Sequence, residues 1–446
     1  MSSLSNKLYY IYLFIAIIVF IICDAMRYGD LPIYIMPISY AVSLLICHNI
    51  RDKFSSLSVM IINSVCLVRY VLYPLMIVIE QSSGSYYVAI SREAIYLMVY
   101  ELLAVQFFLN WYCKRIDISI KLNEGSFGNT ELGPYNRILL LSVVPIALLF
   151  PSVLSMFRFL GIAKSASVPG PVGVCFDMGM TVVYVYLLTI FSKQKNLLSF
   201  VLSITVSVAY IFLTMVGGGN VRRWLFLWVG IPTIIVLLHS YPKYRNAIRT
   251  IAVIFIPLGI FYGSFIKFEV TDISILDFVD NFLGSQSLSE YFGGLNGLSF
   301  SMTNLAQDAK AASFTSTLTD LFGNMPVVSR LFNPDVYSTQ IIYQKLVGRQ
   351  DLICPLLGQS YAHFGTLGAP LLSLIMVAVA VECDIASKKA RTIYELYVLI
   401  MMCVTFSLFM CLNTMIILTH AWTLIIFLVI QYFNNKHVCR NPVSCQ

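Results

Sequence analysis

About a dozen apolar stretches follow one another through this 446-residue chain, each close to the length a helix needs to cross a bilayer. They lie near 8–23, 31–48, 58–79, 87–111, 138–157, 171–191, 198–216, 221–239, 250–268, 363–381, 393–411 and 414–433. No soluble fold accommodates so many. Composition agrees: 58% of residues are hydrophobic and 11% charged, and mean hydropathy is +0.80. The expected fold class is an all-α polytopic integral membrane protein of about 12 transmembrane helices, read as one membrane domain over 1–446. The first stretch is short against the ~20 residues of a full span, so tilt or polar flanks must extend it. The fourth carries Arg92, Glu93 and Glu101, so it reads either as a span or as a partly interfacial segment.

Charge sets the orientation. With the N-terminus inside, Lys7, Arg51, Lys53, Lys114, Arg115, Lys121, Arg137, Lys193, Lys195, Lys243, Arg245, Arg249, Lys388, Lys389, Arg391, Lys436 and Arg440 all fall on the cytoplasmic side. The short outer loops hold Arg27, Arg158, Lys164, Arg222 and Arg223. That is the positive-inside bias, and twelve spans then put both termini in the cytoplasm. The net charge of +7 is therefore a topology signal and gives no reason to expect a nucleic-acid partner. Cysteines sit mostly in or beside apolar stretches, which argues against a disulfide framework. Cys23 follows Phe20-Ile21-Ile22, too bulky for a cleavage site, so the first stretch reads as a retained helix. No internal repeat is evident, against a transporter of duplicated halves.

A loop of roughly ninety residues, about 269–362, falls on the outer face and reads as a folded subdomain with a cleft. Its opening places Leu276, Val279 and Leu283 on one helical face and Asp277 and Asp280 beside it, a pattern suited to a surface helix. A second helical stretch is expected from about Met302 to Leu321. From Pro326 to Gly365 the chain carries Arg330, Asp335, Lys345, Arg349 and His363 among aromatics.

Paired arginines at an outer helix end run against the charge bias. Gly217-Gly218-Gly219-Asn220-Val221-Arg222-Arg223 opens the eighth span from outside. Glycines such as Gly218 and Gly219 let a ligand approach the backbone closely. A helix N-terminus adds unpaired N–H groups and partial positive charge, and guanidinium forks suit phosphate oxygens. Together these describe an anion site. The alternative is that the arginines anchor the helix among lipid headgroups. Successive helical residues point about 100° apart, so at most one of the pair faces a central cavity.

Two stretches carry a resemblance. The glycine–arginine run resembles the turn that opens a membrane helix in O-antigen and capsule repeat-unit polymerases of the Wzy type. Pro355-Leu356-Leu357-Gly358-Gln359-Ser360-Tyr361-Ala362-His363-Phe364-Gly365-Thr366-Leu367-Gly368 resembles the segment by which their large loop re-enters the membrane. The topology is similar along nearly the whole chain, although Gln359 stands where an acidic residue is common. The resemblance implies a fold similar to the GT-C-like membrane glycosyltransferases and a metal-independent enzyme without cofactors. It would sit in the bacterial cytoplasmic membrane with its site facing the periplasm or outside. Such enzymes move a growing glycan from undecaprenyl diphosphate to a sugar hydroxyl of the next lipid-linked repeat unit. The implied partners are that lipid-linked oligosaccharide, membrane lipid and a chain-length regulator protein.

On that reading Arg222 and Arg223 hold the departing diphosphate, with Arg330 and Arg349 closing from the loop and Lys345 as a further cation. His363 is the candidate base for the acceptor hydroxyl; its alternative is a hydrogen-bonded structural histidine at the start of a helix. Asp335 and Glu290 are other carboxylate bases, or solvated loop residues. Tyr361 packs on a sugar ring or anchors at the interface. No outer Asp-x-Asp or paired His or Cys spacing suggests a metal. Glu382 and Asp384 read as caps at a cytoplasmic helix end. Arg69, deep in the third span, either lines a lipid groove or pairs with Glu101, pairing being favoured. Competing functions are a ligase using the same donor, a flippase for lipid-linked sugar, and a membrane scaffold.

Overall fold

The computed structural model describes residues 2–82, 88–116, 132–150, 170–216, 223–255, 284–325, 328–350 and 352–440. Among these the chain is helical, with a single isolated bridge between Tyr28 and Leu31 and no strand. Six helices are long and apolar enough to cross a membrane: Lys7–Met26, Leu57–Glu80, Arg92–Arg115, Pro171–Gln194, Leu197–Thr214 and Thr414–Asn434. A seventh arises if Leu356–Gly368 and Leu371–Ser387, bent by 108°, form one broken span. Ile35–Ile46, Pro134–Leu149, Leu227–Ser240 and Ile393–Ser407 are apolar but shorter. The fourth apolar stretch, despite Arg92, Glu93 and Glu101, is among the six. Its helix starts cleanly because Ser91 Oγ accepts the Ala94 N–H at 3.1 Å.

The chain divides into two compact units. One comprises Met1–Ser119, Ile273–Ile385 and Cys403–His420; the other comprises Ile120–Asp272, Ala386–Met402 and Ala421–Gln446. In the first, the span Leu57–Glu80 departs from α geometry into a π-helical turn at Val68–Leu72. That turn carries Arg69, 1% exposed, whose Nη1 donates to Glu101 Oε2 at 3.0 Å. Tyr70 donates to the same oxygen at 3.0 Å and Ser373 to Oε1 at 2.5 Å. A charge at this depth is tolerable only with such partners. Near the end of the Leu371–Ser387 helix, Asp384 accepts from Ser56 Oγ, Ser58 N and Ser58 Oγ at 2.5, 3.0 and 2.8 Å, capping the Leu57 helix. Glu382 takes Arg115 at 2.8 Å and Tyr112 at 2.6 Å.

Hydroxyls tie the second unit together. Tyr184 stacks on Tyr210 at 4.1 Å and donates to Thr233 at 3.0 Å. Asn136 and Gln431 exchange two side-chain hydrogen bonds, at 3.1 and 2.8 Å. In lipid such pairs replace the water these groups would otherwise bind.

The described part of the large loop is a set of short helices in the first unit: Ser285–Tyr291, Leu295–Phe300, Phe314–Phe322, Pro334–Tyr337 and Thr339–Val347. Leu305, Ala311, Ile342, Tyr343, Leu352, Cys354 and Ala362 form their shared core. The stretch expected as one helix from Met302 to Leu321 is divided. A π turn at Ser301–Leu305 gives way to non-helical chain, in which Asp308 Oδ1 accepts the N–H groups of Lys310 and Ala311 at 2.9 and 3.0 Å. This side-chain turn competes with the helix ladder, as Asp commonly does. The surface helix proposed around Leu276, Val279 and Leu283, with Asp277 and Asp280, lies outside the described residues. The span placed at 363–381 straddles a break, because Gly365 holds φ 67° and ψ −170°. That backbone region is essentially closed to residues with a Cβ.

Removing one partner of a buried pair strands the other, at a cost of about 3–5 kcal/mol. Glu101→Ala should therefore sharply lower the unfolding midpoint of the detergent-solubilised protein. The double variant Arg69→Met/Glu101→Met should recover most of the loss, and a double variant no more stable than Glu101→Ala would contradict the pairing.

Candidate functional site

Three short helices bring one carboxylate, one imidazole and several hydroxyls together. Phe314–Phe322 begins at Ser313, whose Oγ accepts the Ser316 N–H at 3.1 Å. On it Thr317 and Asp320, three residues apart, share a face. The helix Leu356–Gly368 starts after Pro355 and presents Gln359 and His363, four apart, on one face. Thr339–Val347 supplies its first residue.

The Asp320 side chain is 2% exposed and accepts from every side. Its Oδ1 takes the Ser338 hydroxyl at 3.2 Å and the Thr339 N–H at 3.1 Å. Its Oδ2 takes the Thr339 hydroxyl and Gln359 Nε2, both at 2.5 Å, and faces His363 Nε2 at 3.1 Å. An ionised carboxylate has about four lone-pair sites, so this one is saturated. It also sits at the N-terminus of Thr339–Val347, where the helix dipole favours negative charge.

His363 is equally enclosed, its side chain 2% exposed. Because Asp320 only accepts, the neutral ring carries its proton on Nε2. Nδ1 is then the basic nitrogen, and the Thr317 hydroxyl lies 3.1 Å from it. Thr317 and His363 are both half-buried as residues, while the His363 side chain itself is enclosed. The series runs hydroxyl, imidazole, carboxylate. A base oriented by a second group and facing an O–H can take a proton.

A second polar layer supports the first. Gln359 Nε2 also reaches Thr339 Oγ1 at 2.6 Å, while its Oε1 accepts the Thr414 N–H at 3.2 Å. Gln340 donates to the Leu352 carbonyl at 2.7 Å and accepts from the Cys354 N–H at 2.7 Å and from Asn413. Cys354 is no nucleophile here. Burial raises its thiol pKa above the ordinary range, and the Asp320 charge adds to that. Among the described residues no three His, Cys, Asp or Glu side chains converge as a metal site would need.

Of the residues singled out in the sequence, His363 lies in this cluster. Asp335 is exposed on Pro334–Tyr337, and its backbone carbonyl accepts from Lys345 Nζ at 2.7 Å. Arg349 reaches Glu290 at 3.4 Å. Tyr361 is half-buried on the Leu356–Gly368 helix. The backbone of Arg330 lies in the short 3₁₀ turn Val328–Leu331, and that of Arg223 opens the helix Arg223–Ser240; neither side chain is among those described. Gly218, Gly219 and Arg222 lie outside the described residues.

Sequence reading missed Asp320, Thr317 and the donor role of Gln359. Asp320 was legible only as a member of a Ser/Thr-rich helix, 43 residues from His363. Gln359 explains itself in the structure: an acid there would meet Asp320, and an amide donates to it instead. Compared with family models, curated proteins and solved structures, the chain finds no match.

Gln359→Glu would set two carboxyls against each other, so one must stay protonated in the folded state. A folded-state acid with a raised pKa binds protons that the unfolded chain releases, so stability falls as pH rises. The variant should melt below the wild type at about pH 8 and approach it near pH 5. Equal midpoints at both pH values would mean that residues 359 and 320 are not in contact.

Proposed function

We propose that this chain is a membrane glycosyltransferase of the Wzy type. It joins saccharide repeat units carried on undecaprenyl diphosphate, in a bacterial cytoplasmic membrane, with about twelve spans, both termini inside and the chemistry outside. The observation that carries the reading is the Thr317–His363–Asp320 series. Its histidine lies just before the Gly365 break, within the stretch that resembles the re-entry segment of those polymerases, while Thr317 and Asp320 come from the Phe314–Phe322 helix. Spans long and apolar enough to cross a membrane are consistent with a lipid-borne donor.

In this reading the acceptor sugar hydroxyl meets Thr317. As its oxygen attacks the anomeric carbon, its proton passes to Thr317 Oγ1. The threonine proton passes to His363 Nδ1, while Asp320 stabilises the imidazolium. The bond from the anomeric carbon to the diphosphate oxygen breaks, and the diphosphate leaves with the electron pair. Relay through Thr317 is required because His363 itself is enclosed. Arg222 and Arg223 are assigned the leaving diphosphate on their sequence alone, since cations there offset its growing charge.

Deletion and complementation in a polymer-producing host tests this. Proton-transfer groups contribute about 10²- to 10⁴-fold. His363→Ala and Thr317→Val should therefore collapse the polysaccharide ladder to single repeat units, with protein still in the membrane, and Thr317→Ser should keep it. A full ladder in His363→Ala and Thr317→Val sinks the base assignment. Accumulation of lipid-linked polymer in the deletion strain would instead indicate a ligase.

A further inference from the structure

The Arg92–Tyr112 helix gives a measure of depth. Its 21 residues rise about 32 Å, close to the thickness of a bilayer's hydrocarbon core. At one end the Ser91 N–H donates to Ser299 Oγ at 3.0 Å; at the other, Glu382 meets Tyr112 and Arg115. Between these ends the Tyr100 hydroxyl donates to the Leu367 carbonyl at 3.2 Å, and Ser373 donates to Glu101. Tyr100 and Glu101 stand eight and nine residues after Arg92, so about 12 and 14 Å along the helix. The Leu371–Ser387 helix therefore begins near mid-span and accompanies only the half that runs from Glu101 to Arg115.

The preceding helix, Leu356–Gly368, does not supply the other half. It is bent by 108° from Leu371–Ser387, so it runs across the bundle and not along it. Its start is held at the same level as its end. A Cβ built on Gly293 would stand 3.5 Å from Pro355 and 3.8 Å from Arg69 Nη2, which puts the residue opening this helix close to the buried guanidinium. Arg69 lies near the middle of the Leu57–Glu80 span and is bonded to Glu101, which in turn takes Ser373. Both ends of Leu356–Gly368 thus lie at the depth of the ion pair, with Gln359 and His363 between them.

The elbow between the two helices is uncovered and apolar. Phe364, Leu367, Leu371 and Ile375 are exposed, Leu367 to 89%, and no residue from Phe364 to Ile375 is charged. Tyr96, Tyr100 and Phe107, spaced four and seven apart on one face of the neighbouring span, are exposed as well. The Tyr100–Leu367 bond joins the two strips into one surface. Contiguous apolar surface of this kind marks a contact with membrane or protein. The backbone decides for membrane. Carbonyls freed at a bend need partners inside the protein when lipid surrounds them, and here Leu367 has Tyr100 while Gly368 has Ser360 Oγ at 3.2 Å. We propose that the Leu356–Gly368 helix lies across the membrane interior and that the Phe364–Ile375 elbow is a docking face for bilayer hydrocarbon chains, directly after His363. A lipid-borne substrate then reaches the Thr317–His363–Asp320 series sideways, from among those chains. That last step rests on the glycosyltransferase reading; the lipid contact does not.

The test is tryptophan fluorescence on the full chain in phosphatidylcholine nanodiscs. Leu367→Trp and Ile375→Trp each add one reporter to the four native tryptophans, whose wild-type signal is subtracted. The quenchers are phosphatidylcholine brominated on its acyl chains and aqueous iodide. Both positions are exposed, so the larger ring meets no packed neighbour, and two sites give two independent readings among variants that melt with the wild type. The added emission should lie to the blue of a water-exposed tryptophan, lose most of its intensity to the brominated lipid and lose little to iodide. Stronger quenching by iodide would put the elbow in water, and quenching by neither would mean that protein covers it; either result overturns the proposal. No saccharide enters this measurement, so the two readings fail separately. Quenching by brominated lipid together with a full ladder in His363→Ala supports the elbow and rejects the base. Quenching by iodide together with a collapsed ladder rejects the elbow alone.

Discussion

A carboxylate removed from water has to be surrounded by donors, and the loop region of this protein is arranged around that requirement. Asp320, on Phe314–Phe322, receives its donors from Ser338 and Thr339 on one further segment and from Gln359 and His363 on another, so three segments meet at it. Each of those segments is short, and helices of nine or thirteen residues are marginal alone. The Leu305, Ile342, Tyr343 and Leu352 core supplies the burial that holds them, at about 1.5–3 kcal/mol for each large side chain. The carboxylate decides how they are oriented. A saturated network in a low-dielectric setting is rigid, and a partly satisfied one is costly. The same network extends through Gln340 and Asn413 to the start of the Thr414–Arg440 helix.

The Arg69–Glu101 pair meets the same constraint differently. Glu101 is fully answered by Arg69, Tyr70 and Ser373, but Arg69 keeps Nε and Nη2 without partners among the described residues. The π turn at Val68–Leu72 sits where the span carries this charge. Such turns are rare and occur mostly as single turns inside α-helices. One cluster is built to saturation around an anion. The other holds a cation whose remaining donors have no acceptor among the described residues.

Local chemistry explains what could be read in advance. Long apolar runs specify helices and a membrane setting without help from tertiary contacts, because lipid leaves the backbone no other partner. Arg69 and Glu101 were recognisable as a pair because each is intolerable alone at that depth. Glu382 and Asp384 read as caps from their place at a helix end; in the structure Asp384 caps the start of the Leu57 helix, and Glu382 instead pairs with the Arg115 and Tyr112 side chains. By contrast, the expected helix from Met302 to Leu321 ignored Asp308, whose side chain takes two backbone donors and stops the helix. The span set at 363–381 took hydropathy as continuous and passed over the one glycine whose backbone turns the chain.

His363 stood out in the sequence because imidazole is the side chain that titrates near neutrality. Its partners did not, since nothing in a run of residues says which of many threonines and aspartates will face it. Residue order and hydropathy alone determined that the chain is helical and that several helices suit a membrane, and they favoured the Arg69–Glu101 pairing over a lipid groove. Only the tertiary structure decided that Asp320 and Thr317 flank His363 and that Gln359 donates to that acid. The reason is physical. Helix formation and lipid partition depend on neighbours within a few turns, whereas the solvation of a buried polar group depends on whatever the fold brings within about 3 Å of it.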